Sequence, residues 1–237
     1  MQTAVLSHKG LVREQNEDNY LLLPEVKFFA VADGMGGHQA GAFASDLALS
    51  TIKKIFLKGN EGADPVHFLL QGVEKANENI FSTGLLEQDK AGMGTTLTSL
   101  WLQEGFAFLA HVGDSRAYLL RDDELMILTE DHSLVGELVR NGSLTLSEAE
   151  THPQKHMLTR ALGVSSKVKT DIKKINCHRQ DLFFLCTDGL TNLVTDQEIK
   201  EILGVNSMVQ DSLKKLLKLA LQRGGQDNIT MLAILME

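Results

Sequence analysis

Acidic residues recur in this chain where apolar runs stop. Asp33 follows FFAVA, Asp114 follows FAFLAHV and one glycine, and Asp188 follows LFFLC and one threonine. Asp227 lies just ahead of ITMLAIL, and Glu17 and Asp18 stand before NYLLL, with Arg13 a few residues upstream. Strand ends in a layered protein lie close in space. Carboxylates gathered there repel, and each raises the others' pKa unless a cation keeps them ionised. No Cys or His stands beside them at zinc-like spacing, and oxygen donors alone select hard cations, Mg²⁺ or Mn²⁺. Asp-Gly and Asp-Asn pairs also form turns. Spacing alone therefore leaves a set of plain turns open beside an acidic metal centre.

Gly34, Gly36 and Gly37 follow Asp33 directly. A glycine after a ligand carboxylate lets the backbone turn and brings its carbonyl near a cation. No Gly-Lys-Ser/Thr follows, so this is not a P-loop, and the spacing is not that of a dinucleotide-binding turn. A tight strand-to-helix turn is the simpler alternative.

Alternating blocks of strand and helix would position these groups. Apolar runs predict strands over residues 2–8, 19–23, 27–32, 95–102, 104–112, 116–120, 124–128, 168–175, 181–187 and 228–236. A helix is predicted over 40–58, with Ala44, Leu47, Ala48 and Ile55 on one face. A second starts at Asp64-Pro65, a capping residue followed by proline. Its stripe is Val66, Leu69, Leu70, Val73, Asn77 and Ile80, one member polar. Two more are predicted over 196–203 and 207–222. Residues 133–165 read as two short helices broken at Asn141-Gly142, an excursion over the surface of the kind that forms lids. Strands in blocks and helices in pairs imply an α+β fold, two facing antiparallel sheets with helices outside.

The bulk numbers narrow the function. A net charge of −8 over 237 residues argues against nucleic acid or an anionic membrane as partner. No apolar run reaches membrane-spanning length, and the N-terminus lacks signal-peptide architecture. Two cysteines, Cys177 and Cys186, fit a reducing compartment, so a cytoplasmic protein is expected.

In order and spacing, VREQNEDNY, VADGMGGHQAG, GMGTT, AHVGDSRAYL, TEDHS, LTRALG, LCTDGL and GGQDNIT resemble the PPM family, the metal-dependent serine/threonine protein phosphatases of the 2C type, in their compact bacterial form. The resemblance runs from about residue 4 to 235. It implies one domain over residues 1–237, a four-layer αββα sandwich, with a flap at about 133–165 that tunes access and substrate choice. It implies two Mn²⁺ or Mg²⁺ ions and a third site in bacterial members. Asp33 matches the bridging ligand, the Gly34 carbonyl a ligand of the second metal, Glu17 a position that binds that metal directly or through water, and Asp18 an acid behind it. Asp188 and Asp227 match ligands of the first metal, and Asp114 with Asp188 the third site. Arg13 matches the phosphate-binding arginine, whose planar fork suits two phosphate oxygens.

Animal relatives place a histidine directly after the Asp-Gly pair, where this chain has Met35. His38 is the nearby candidate for the general acid; a third-metal water and a purely structural role for His38 are the alternatives. The implied substrates are phosphorylated proteins, a serine/threonine kinase among them, and the implied state is a monomer. The basic run Lys167, Lys169, Lys173 and Lys174 would meet phosphoproteins or simply form a solvated strand face. A two-metal phosphodiesterase and a binding-only pseudophosphatase are the competing readings. Motif order and the lack of a basic nucleic-acid surface argue against the first, retention of Asp33, Asp188 and Asp227 against the second.

Overall fold

The computed structural model describes residues 1–36, 39–59, 62, 64–205 and 208–237. The chain opens with strands β1 (Gln2–His8), β2 (Asn19–Leu23), β3 (Phe28–Ala32) and the two-residue β4 (Gly34–Met35), then helices α1 (Ala40–Leu57) and α2 (Pro65–Leu86). Strands β5 (Gly94–Thr95), β6 (Leu97–Gln103), β7 (Phe106–Val112), β8 (Arg116–Arg121) and β9 (Glu124–Ile127) follow. Helices α3 (Leu134–Arg140) and α4 (Leu146–Thr151) precede β10 (Asp171–Asn176) and β11 (Leu182–Cys186). Helices α5 (Asp188–Thr191), α6 (Asp196–Gly204) and α7 (Val209–Gln222) lead to β12 (Ile229–Leu235).

Among the described residues, two five-stranded antiparallel sheets run β1-β12-β11-β8-β9 and β10-β7-β6-β3-β2. The two-sided burial of β3 explains its unbroken apolar sequence. Phe28, Ala30 and Ala32 join the core under α1 and α2, while Phe29 and Val31 point into the core between the sheets. The outer face of the other sheet, with Tyr118, Phe184 and Met231, packs on Ile199 of α6 and Leu213, Leu216 and Ala220 of α7. The layers are therefore helix, sheet, sheet, helix, the α+β sandwich expected. Phe28, Phe56, Phe68 and Trp101 meet in one aromatic cluster, with the Phe56 ring edge-on to Phe68 and Trp101. Burying each such ring stabilises the fold by roughly 2–3 kcal/mol.

Helix α2 starts as predicted, with Asp64 accepting from the His67 N–H at 2.8 Å and Pro65 in the first turn. The polar member of its stripe, Asn77, has a partner across the fold. Its Oδ1 accepts from the Gly163 N–H at 2.8 Å and its Nδ2 donates to the Ser165 carbonyl at 3.0 Å. Strand β10 begins at Asp171, three residues later than expected. Val168 packs against the helix-side core, but the ladder with β7 ends where Asp171 faces His111, because β7 then turns through Gly113. Cys186 is buried and Cys177 partly so, and both are free. Lys174 lies 3.8 Å over the Phe106 ring, so one lysine of the basic run serves packing.

Residues 133–165 carry α3 and α4, divided at Asn141-Gly142 as expected. Every residue of α3 is at least partly exposed. The bridge Ser133–Leu158 closes the segment on itself, and the bridge Thr95–Leu162 anchors it to the body.

Candidate metal centre

Antiparallel register gathers the acids. In one sheet His8 lies opposite Ile229, and Cys186 lies opposite Met231 and Arg116. The chain leading to Arg13, Asp227 and Asp188 therefore leaves that sheet at a single end. In the other, Asn19 lies opposite Ala32 and Leu97 opposite Val112. Glu17 and Asp18, Asp33, and Asp114 share the matching end. Bonds between the sheets fasten these ends together. Thr187 Oγ1 donates to Asp18 Oδ2 at 2.8 Å, and the Glu17 N–H donates to Asn228 Oδ1 at 2.8 Å. Asn228 Nδ2 also donates to the carbonyls of Lys9 and Gln15, both at 2.9 Å.

Between them lies a cleft of about 1030 Å³, with Arg13, Glu17, Asp33, Gly34, Asp114, Asp188 and Asp227 on its wall. Asp18 sits behind, 4 % exposed. His38 lies outside the described residues. The GMGTT stretch supplies a clamp on Asp33. Thr96 donates its N–H to the Asp33 carbonyl at 2.8 Å, and its Oγ1 accepts from the Asp33 N–H at 2.9 Å. Gly34 must lack a side chain, because a Cβ there would stand 2.1 Å from the Gly41 carbonyl oxygen and 2.7 Å from that of Glu17. The first turn of α1 and the Glu17 loop close directly on this residue.

The carboxyls are electrostatically crowded. Burial, then the charges of Asp18, Asp188, Asp114 and Asp227, push Asp33 well above its ordinary value. Asp114 rises through burial and Asp188, and Asp188 through burial and Asp227. Burial lifts Asp18 to about 7 against the hydrogen bond from Thr187. Burial also raises Glu17, with Arg13 opposing. Arg13 Nη2 donates to Asp227 Oδ2 at 2.8 Å from a half-exposed position.

The model of the family described as protein phosphatase 2C matches residues 6–229. The chain belongs to the protein phosphatase 2C family. It is 37 % identical over 240 residues to a serine/threonine phosphatase, stp, of Listeria innocua, covering 99 % of this chain and 95 % of that one. It superposes on the crystal structure of the Mycobacterium tuberculosis serine/threonine phosphatase PstP/Ppp with a TM-score of 0.92 at 38 % identity, covering 100 % of this chain and 99 % of that one. A structure of the PstP catalytic domain in complex with two manganese ions is 36 % identical at a TM-score of 0.90, covering 100 % and 98 % of the two chains.

The cleft of this protein phosphatase 2C member fits divalent cations in its own chemistry. Its carboxylates and the Gly34 carbonyl offer oxygens, the choice of hard ions. Asp18 Oδ1 is buried with no hydrogen-bond partner among the described residues, a cost that a neighbouring positive charge removes. The charge of Asp188 is among those that push the buried Asp33 carboxyl up, a repulsion that a cation between the two removes. Among the described residues, no three His, Cys, Asp or Glu side chains are already drawn into a closed metal-holding group. The acids instead surround a common space, which suits Mg²⁺-like ions that keep much of their water.

Sequence reasoning overlooked His156, which lines the same cleft from the segment after α4. It also overlooked the rim pair Phe43 and Lys90, with the ammonium 4.1 Å from the ring centroid. The sequence signal for His156 was only its place in the excursion at 133–165.

Proposed function

We propose that this chain is a monomer that hydrolyses phosphoserine and phosphothreonine on proteins, a serine/threonine kinase among its substrates, with two Mn²⁺ or Mg²⁺ ions and a third at Asp114 and Asp188. The convergence of Asp33, Asp114, Asp188 and Asp227 on one cleft that Arg13 also lines carries the reading. Asp188 and Asp227 would hold one ion, Glu17 and the Gly34 carbonyl another, and Asp33 both. When bound, such ions supply charge to neutralise the carboxylates and to acidify a water that attacks phosphorus. Arg13 would turn its free N–H groups to the phosphoryl oxygens, fixing the group in line for displacement. Thr96 and Asn228 keep the acidic loops in place against their mutual repulsion. His38 is the candidate donor of the proton that the departing serine oxygen needs, and residues 133–165 serve as a flap that selects protein substrates.

The test is hydrolysis of a phosphoserine peptide and an aryl phosphate with Mn²⁺, then with excess chelator. Both monoesters should turn over only with the metal, and a diester should not. Cleavage of the diester alone, or chelator-resistant hydrolysis, would overturn the reading.

A further inference from the structure

Asp114 leaves β7 through Gly113, and a residue outside the acidic set holds that glycine. The His132 N–H donates to the Gly113 carbonyl at 2.7 Å, and His132 Nδ1 accepts from the Gly113 N–H at 3.0 Å. A backbone N–H can only donate, so Nδ1 carries the lone pair and the neutral ring's proton sits on Nε2. Nε2 faces Asp171 Oδ2 at 3.0 Å, and Arg160 Nη1 donates to the other Asp171 oxygen at 2.9 Å. His111 lies against the ring, centroids 4.7 Å apart, itself fixed by Thr98 Oγ1 and the Glu130 carbonyl. Both imidazoles are 1 % exposed.

Across from His132, Gly113 has φ +116°, and a Cβ there would stand 2.5 Å from Thr96 Cγ2. Thr96 is the clamp on Asp33. Gly113 is thus wedged between His132 and the residue that fixes the neighbouring carboxylate. Holding Gly113 fixes the point from which the backbone of Asp114, the next residue, starts.

We propose that His132 is a positioning residue for Asp114, fixing through Gly113 the place of that carboxylate in the cleft and so the affinity of the cation site to which it contributes. The inference rests on the metal-dependent reading above. The Gly113 N–H and Asp171 set the tautomer of the ring, and Asp171 and the stacked His111 its orientation, as outer partners do for groups around a metal.

The experiment is Mn²⁺ titration of the full chain, followed by the electron paramagnetic resonance signal of free Mn²⁺, with melting temperature recorded for each variant. Asp114→Asn identifies the ion that needs Asp114. His132→Asn keeps an acceptor where Nδ1 was and loses the reach to Asp171. His132→Gln places its polar end where Nε2 was and leaves the Gly113 N–H unpaired. The Asp114-dependent ion should bind to His132→Asn about as in the wild type, and about tenfold or more weakly to His132→Gln. The other ions should be unchanged in both. A merely structural role would weaken Asn and Gln alike, so equal affinities in the two variants, high or low, would overturn the proposal. An Asp114→Asn variant that binds as many ions as the wild type would overturn it too, while leaving the metal reading standing. Wild-type protein that binds no Mn²⁺ would remove that reading and this inference together.

Discussion

Arg13 Nη2 donates to Asp227 Oδ2 at 2.8 Å, so the guanidinium on the cleft wall rests on one of the acids proposed to hold metal. The contact orients the fork and leaves its other N–H groups for an anion. Arg13→Ala should raise KM for a phosphoserine peptide by roughly tenfold to a hundredfold, the worth of a hydrogen bond to a charged group. Arg13→Lys should recover only part of this, because a point charge cannot span two oxygens. Steady-state kinetics on both variants checks it, and full rescue by lysine would count against a bidentate grip.

Repulsion in the cleft gives the metal-free protein a definite pH response. Asp33, Asp114, Asp188 and Asp18 all have folded values raised above their ordinary 3.8, Asp18 to about 7. A carboxyl raised by folding contributes stability that is full below the ordinary range and is lost as pH climbs through the folded value. The melting temperature of metal-free protein should therefore fall between about pH 4 and 7 relative to that of the Mn²⁺-loaded form. Differential scanning fluorimetry of both forms across that window reads the gap, which should widen with pH. A gap that stays constant or narrows would refute the crowded-carboxylate account.

The same physics makes Asp33→Asn a stabilising change without metal. It removes the charge that Asp18, Asp188, Asp114 and Asp227 all oppose. The metal-free variant should melt a few degrees above the wild type near pH 7.5, since about 1 kcal/mol moves a domain of this size by ~2–4 °C. Its hydrolysis of phosphopeptide should nevertheless fall by orders of magnitude. Thermal melts and kinetics on one preparation test both halves.

The proton donor is separable by leaving group. A serine alkoxide needs protonation and an aryl oxide needs little. His38→Ala should slow phosphoserine-peptide turnover by about a hundredfold while aryl phosphate turnover changes little. His156→Ala, at an imidazole that lines the cleft, should slow both substrates alike. An exchange of these two patterns would move the acid role to His156.

The sequence carried most of the architecture because its strands are buried on both faces and its helices have striped ones. FFAVA and LFFLC could hardly be anything but interior strands. What it could not display was register. Asp33 and Asp188 meet only because β3 and β11 end on the same side of the sandwich, which follows from pairings such as Val31 with Thr98 and Cys186 with Met231. Pairing of Gly34–Met35 with Gly94–Thr95 was invisible because two residues show no periodicity. Helix α5 was hidden in TDGL, which reads as a turn. Asn77 looked like a flaw in an apolar stripe, and the His111–His132 pair like two unrelated histidines, because their partners lie far along the chain.

The central claim is that the acids at these strand ends share divalent ions. Anomalous diffraction from crystals grown with Mn²⁺, collected at the manganese edge, tests it most directly. The account expects peaks in the cleft at direct-ligand distance from Asp33, Asp188 and Asp227. A well-ordered cleft with no manganese peak, or peaks only elsewhere on the protein, would contradict it.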